Sequence, residues 1–243
     1  MRIRIYSDLH REFHSFDPPP LDPGVGLVIL GGDIDKKGRG VKWANEAFAC
    51  PVAYVCGNHE FYDGHIDRTL QKMRGAALSH VHVLENETMI INGVRILGTT
   101  AWTDFTSSGD LVAACSMAKE CMNDFRYIRV DDYRRLRPHD LMGRNHVAKA
   151  WLIDQLDQEF EGKTIVVTHH APASFVAGLK DEGHLNAAYT NEWSALIEKA
   201  DVWVFGHTHH SVDVELAGCR VISNPKGYPG ENTRFDPFFE IEI

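Results

Sequence analysis

The chain has 243 residues, is 44% apolar and carries a formal net charge of −9. That length buries a sizeable core, as one large domain or two small ones. The acidic balance argues against general adhesion to nucleic acid or anionic membrane, because both need excess Lys and Arg at the contact. A locally positive site stays compatible with it, since a bound metal supplies one.

The amino terminus, MRIRIYSDLH, lacks the apolar core of a signal peptide, and no apolar run reaches membrane-spanning length. Cys50, Cys56, Cys115, Cys121 and Cys219 are odd in number and form no CxxC pair. They read as reduced packing residues, and the expected location is the cytoplasm.

In chain order, short apolar runs predict strands over 2–6, 26–31, 51–56, 94–99, 164–168, 201–205 and 219–223. Helical patterns fit 40–49, 65–75, 110–124, 144–160 and 190–199. Strands alternating with helices predict α/β layers, with the last strands antiparallel. The DPPPLDPG run at 17–24 is a rigid surface loop rather than a linker, because strand material follows it directly. The expectation is one domain over 1–243. Its segment 101–145 breaks the rhythm and carries the charge-rich RYIRVDDYRRLRPHD. That segment is either a solvated face or a cap over a site, offering arginines to an anionic substrate.

The strand ends carry the chemistry. The first runs into Asp8-Leu9-His10, the second into Gly31-Gly32-Asp33, and the third into Gly57-Asn58-His59-Glu60. The run KTIVVTHHAP delivers His169 and His170, and strand 201–205 delivers Gly206-His207-Thr208-His209. In both DxH and HxH, two-residue spacing puts the side chains on one face if the chain stays extended. Alternation then turns only one of His169 and His170 toward a common site, with His169, directly continuing the strand, as the candidate. Asp, Asn and His ligands without thiolate suit borderline divalent ions, manganese first, with iron, zinc or nickel as alternatives. A carboxylate can bridge two cations, and glycines beside the ligands let the backbone approach closely. Each motif alone is weak, whereas five in order at successive strand ends form a ligand set.

Together these motifs resemble the pattern of the calcineurin-like metallophosphoesterases: DxH, GD, GNH[DE], a later His, then GHxH. The likeness runs from residue 8 to 209. SDLHREF, GNHEFY and Trp102-Thr103-Asp104-Phe105 are similar to stretches in small bacterial and phage members. The resemblance implies a four-layer αββα sandwich of two mixed sheets flanked by helices. It implies one metal on Asp8, His10, Asp33 and His209, and a second on Asp33, Asn58, His169 and His207, with Asp33 bridging. His59 is implied as the catalytic proton donor or transition-state stabiliser beside the phosphate.

The implied reaction is phosphoester hydrolysis, in which two cations generate hydroxide for in-line attack on phosphorus. A phosphodiesterase acting on a small or nucleotide-like substrate is favoured over a phosphomonoesterase, a protein phosphatase or a nuclease. Many relatives carry an acid three residues after the GD aspartate to orient the catalytic His. Lys36 stands there instead, which leaves the partner of His59 open and weakens a protein-phosphatase reading. Glu60 is expected to fix backbone rather than act. The substrate wall is expected at Asn58, His59, Trp102, Asp104, Arg126 and His184, with Asn123 and Asp124 beside it. HEFYDGH lacks the second His of HExxH, and neither GxSxG around a serine nor a P-loop occurs. A non-catalytic scaffold on this fold would be recognised by missing ligands, and here no position of the set is missing.

Overall fold

The computed structural model describes residues 1–178 and 181–243. In chain order it contains β1 (Arg2–Tyr6), β2 (Val25–Gly31), α1 (Arg39–Ala47), β3 (Val52–Val55), α2 (Ile66–Ala76), β4 (Val81–Leu84), β5 (Glu87–Ile91) and β6 (Val94–Thr99). Next come α3 (Leu111–Cys121), α4 (Asp124–Tyr127), β7 (Arg129–Val130), β8 (Arg134–Arg135) and α5 (Pro138–Asp157). The chain closes with β9 (Lys163–Thr168), α6 (Ser194–Ile197), β10 (Val202–Val204), β11 (Val212–Leu216), β12 (Cys219–Ser223) and β13 (Glu240–Glu242).

Eleven strands form two large mixed sheets, ordered β13-β1-β2-β3-β4 and β11-β12-β10-β9-β6-β5, and β7 pairs antiparallel with β8 apart from them. Side-chain alternation explains how they stack. Ile3 and Ile5 of β1, Ile165 and Val167 of β9, and Val202 and Val204 of β10 share one buried cluster between the sheets. The opposite faces pack outward, with Tyr6, Val28 and Tyr54 against Val41, Ala44 and Met73 of α1 and α2. On the other side, Val166 and Trp203 meet Leu152 and Leu156 of α5 and Ile197 of α6. Helix, sheet, sheet and helix are therefore the layers expected from the resemblance.

The last strands are only partly antiparallel. β11 and β12 pair antiparallel, and so do β13 and β1, whereas β12 runs parallel to β10. Predicted helix 190–199 contracts to α6 over Ser194–Ile197, and α5 starts earlier than its predicted 144, at Pro138. Pro138 occupies the first turn, where its missing N–H costs nothing, and Asp140 Oδ2 closes that end by accepting from Arg137 N–H at 2.8 Å. Segment 101–145 is partly helix: α3 docks Ala114 and Ala118, and α4 docks Phe125, with Ile128 just beyond it, onto the cluster outside the first sheet. No helix among the described residues is long and apolar enough to cross a membrane.

Candidate metal centre

The loops after β1, β2, β3, β9 and β10 converge. Asp8 N–H donates to Gly32 O and His10 N–H to Asp33 O, both at 2.9 Å, so the DxH loop runs along the GD loop. Gly206 N–H donates to His169 O at 2.9 Å, and His207 N–H to Asp8 Oδ1 at 2.9 Å, which joins the two sheets at the site.

The expectation of extended backbone at DxH and HxH is corrected here. Asp8, His10, Asp33, His207 and His209 all lie in the left-handed region, with φ of 50°, 44°, 54°, 68° and 51°. Asp and His enter this region more readily than most residues, but it remains disfavoured. It persists because the loops are hydrogen-bonded to one another, the usual setting for strain at a functional site. The pairs converge through curled loops rather than through strand alternation.

Three donor groups result, Asp8/His10/His209, His10/Asp33/His59 and Asp33/His169/His207, with atoms in each within 4.8 Å of one another. His10 Nε2 lies 3.0 Å from His209 Nε2, and His209 Nε2 lies 3.6 Å from Asp8 Oδ1. Asp33 stands at the junction. Its Oδ1 accepts from His59 N–H at 2.8 Å, while its Oδ2 lies 3.8 Å from His10 Nε2 and 3.5 Å from His169 Nε2. Asn58 turns its Oδ1 to His169 Nε2 at 3.2 Å, and His169 Nδ1 donates to Gly31 O at 2.9 Å.

A metal fits these residues. Asp8 Oδ2 and His207 Nε2 are buried without a hydrogen-bond partner, a costly arrangement unless another species engages them. The donors are all oxygen or imidazole nitrogen. A Cβ on Gly57 would stand 2.1 Å from Asp33 Oδ1 and one on Gly32 2.4 Å from His169 Nδ1, so both glycines are required by close approach.

The electrostatics of the cradle's own groups are mixed. Burial alone would raise the Asp33 carboxyl, but His169, His59 and His10 hold it well below the usual range. Burial likewise opposes charge on His169, yet Asp33 raises it to about 10, so a cation binding there displaces a proton. Burial, then the neighbouring imidazoles, push His207 well down, which favours the neutral form that a metal binds.

His170 makes a different contact from His169. Its Nδ1 faces Thr100 O at 3.2 Å, and its ring packs 4.3 Å from that of His207. Burial, then His169, lower it to about 3, so it is a neutral packing group behind a candidate ligand.

Around this cradle stand Glu12, Tyr228 and Glu231, to which sequence reasoning gave no role, and Glu60, which it expected to fix backbone. Glu12 Oε1 accepts from His59 Nδ1 at 2.6 Å and lies 3.3 Å from His10 Nδ1, so the orienting acid precedes the GD motif. Lys36 instead pairs with Asp63 at 3.1 Å. Glu12 stands two residues after His10 in SDLHREF, and that spacing was the available signal. Glu60 accepts from the N–H groups of Asp33, Ile34 and Gly57 and from Tyr54 Oη, tying two ligand loops together without facing the cavity. Tyr228 Oη meets His59 Nε2 at 3.0 Å, and Glu231 Oε2 meets His209 Nδ1 at 2.6 Å. Both sit in a turn-rich stretch after β12, where no periodicity points at them. Gly227 N–H pins that stretch to Asp8 O at 2.9 Å.

The cradle opens into a cavity of about 650 Å³, walled by Tyr62, Met122, Asn123, Asp124, Tyr189 and Tyr228 among others, and bordered by Glu182 and Glu231. Asn58 and His59 line it. Four expected wall residues lie elsewhere. Trp102 is 2% exposed and packs between Phe61 and His170, because its indole completes the core. Asp104 closes a local turn onto Thr106, and Arg126 donates to Glu120 O at 2.8 Å. His184 faces Ser108 in a separate, smaller cavity.

Fold and donor set define a metal-binding phosphoesterase. The profile of the calcineurin-like phosphoesterases matches residues 1–211, and the chain belongs to that family. It is 24% identical over 280 residues to the uncharacterized protein L509 of Acanthamoeba polyphaga mimivirus, covering 100% of this chain and 97% of that protein. Phosphopantetheinyl hydrolase (PptH) from Mycobacterium tuberculosis shares the fold at a TM-score of 0.72 and 18% identity, over 93% of this chain and 89% of that one. A putative 5′-nucleotidase from Staphylococcus aureus matches at a TM-score of 0.53 and 14% identity, over 92% of this chain but only 48% of its own.

Proposed function

We propose that the chain is a two-metal phosphodiesterase acting on a small or nucleotide-like ester. The observation that carries the two-metal reading is the division of labour within Asp33. One oxygen is held by the His59 N–H at 2.8 Å, and the other stands between His10 and His169, members of the two flanking donor groups. Asp8, His10, Asp33 and His209 hold one ion in this reading, and Asp33, Asn58, His169 and His207 the other. Divalent ions bound there supply Lewis-acid charge and a lowered pKa for water.

The remaining work falls to the chain itself. Glu12 accepts from His59 Nδ1, which fixes the tautomer and leaves Nε2 toward the cavity and Tyr228. Burial opposes a charge on His59, but Asp33, then Glu12, outweigh it, so this imidazole holds its proton more tightly than a free one. A proton held at Nε2 suits donation to a leaving alkoxide or to a phosphoryl oxygen. Tyr62 stacks on the His59 ring at 4.2 Å and keeps it in that orientation.

The choice of diester rests on the cavity lining. Among the described lining residues there is no Lys or Arg, while Glu182 and Glu231 border the opening. A diester carries one negative charge and a monoester near neutral pH close to two, so this wall repels the diester less. The fold neighbours are named a hydrolase and a nucleotidase, so the fold alone does not choose the ester class.

A metal-reconstitution screen tests the reading. With manganese, iron, zinc or nickel, bis-p-nitrophenyl phosphate and cyclic nucleotides are compared with p-nitrophenyl phosphate. A higher kcat/KM for the diesters is expected. A higher value for the monoester overturns the diester assignment, and no hydrolysis with any metal points to a binding scaffold.

A further inference from the structure

We infer that Asp124, delivered by the segment between α3 and α5, is the positioning residue that turns the Asn58 amide oxygen toward the metal. The inference rests on Asn58 being a ligand of the second ion. Asn58 Nδ2 donates to Asp124 Oδ1 at 2.9 Å, while Asn58 Oδ1 faces His169 Nε2 at 3.2 Å. A primary amide is nearly symmetrical in shape, and only its oxygen can hold a cation. The carboxylate on the far side accepts from NH₂, more closely than Tyr62 Oη does at 3.2 Å, and so favours the rotamer that presents oxygen to the ion. Without it, rotation about the terminal bond brings a repelling NH₂ to the same place.

The support is itself built into the fold. Asp124 is 1% exposed, and its Oδ1 also accepts from Tyr62 Oη at 2.8 Å. Its other oxygen is buried without a hydrogen-bond partner, a cost that packing alone does not require. Helix α4 is fastened to the loop carrying Asn58. Asp63 N–H donates to Tyr127 O at 3.1 Å, and Arg129 N–H to Gly64 O at 2.9 Å. Phe125 and Ile128 share a buried cluster with Phe61 and Tyr62. The irregular segment thus acts on the second ion from behind its ligand.

Manganese titration of the metal-free full chain, read by calorimetry, tests this without turnover. Asp124→Ala weakens one of two binding events by roughly 10- to 100-fold and leaves the other unchanged, the range known for partners of metal ligands. Asn58→Ala weakens the same event, and the double variant binds no more weakly than Asn58→Ala alone. Where Asp124→Ala does not fold, Asp124→Leu fills the space without an acceptor and gives the same loss. Wild-type binding in a folded Asp124 variant, with weakened binding in Asn58→Ala, overturns the role of Asp124 alone. Unchanged binding in Asn58→Ala overturns the ligand reading beneath it. Additive losses in the double variant show that Asp124 acts by another route and overturn the inference.

Discussion

The acids that line the cradle and the acids that ring it bond in different ways. Asp8 and Asp33 sit on left-handed backbone, and each directs an oxygen at imidazole nitrogen or at no protein donor. Glu60 and Glu231 lie just outside, and each directs its carboxylate at protein donors. Glu12 does the same toward His10 and His59 through Oε1, while its Oε2 is buried without a partner. Left-handed backbone together with an oxygen left for imidazole or for no protein donor distinguishes the two inner acids, whereas the outer acids brace candidate ligands and their loops through hydrogen bonds. Asp124 belongs to the outer set through one oxygen, although it borders the cavity.

Substitutions can break that contrast. The largest effect is expected at Asp33: Asp33→Asn removes the shared charge, so activity falls by on the order of 10³-fold or more, with loss of bound metal by elemental analysis. His169→Ala comes next and empties one metal position. His170→Ala leaves both filled, because its ring contacts a candidate ligand without joining a donor group; metal loss in that variant would move His170 to the inner set. His59→Ala keeps the metals and lowers kcat by roughly 10²- to 10⁴-fold on esters with poor leaving groups, and by less on nitrophenyl esters.

Glu12→Gln is milder. Weaker orientation of His59 is expected to cost about 10- to 100-fold in kcat with metal content retained. The smallest effect is on stability. In the metal-free protein burial would raise Glu12, but hydrogen bonds from His10 and His59 bring it down to about 2 from 4.5. A depressed carboxyl stabilises the fold above its unfolded value, and that contribution is lost as the pH falls from about 4.5 toward 2. Urea unfolding at stepped pH should therefore give a flatter profile over that window for Glu12→Gln than for the parent chain.

The sequence was legible in proportion to burial. The seven predicted strands are β1, β2, β3, β6, β9, β10 and β12, all interior to their sheets. Covered on both faces, they read as apolar runs. Of the overlooked strands, β4, β5, β11 and β13 are the edges of the two large sheets, where His82, Glu87, Asp213 and Glu240 interrupt the signal, and β7 and β8 are a two-residue pair in the charge-rich segment. The same holds at the site. Candidate ligands at the ends of interior strands could be read in order, whereas Tyr228 and Glu231 come from a loop with no period to follow. Trp102 shows the opposite error, since an aromatic in an irregular stretch proved to be core.

The central claim is that two ions share Asp33. Anomalous X-ray scattering from crystals loaded with manganese tests it most directly. Two peaks are predicted about 3.5–4 Å apart, one beside Asp8, His10 and His209 and one beside Asn58, His169 and His207, with an Asp33 oxygen between them. A single peak, or two that do not share Asp33, would contradict it.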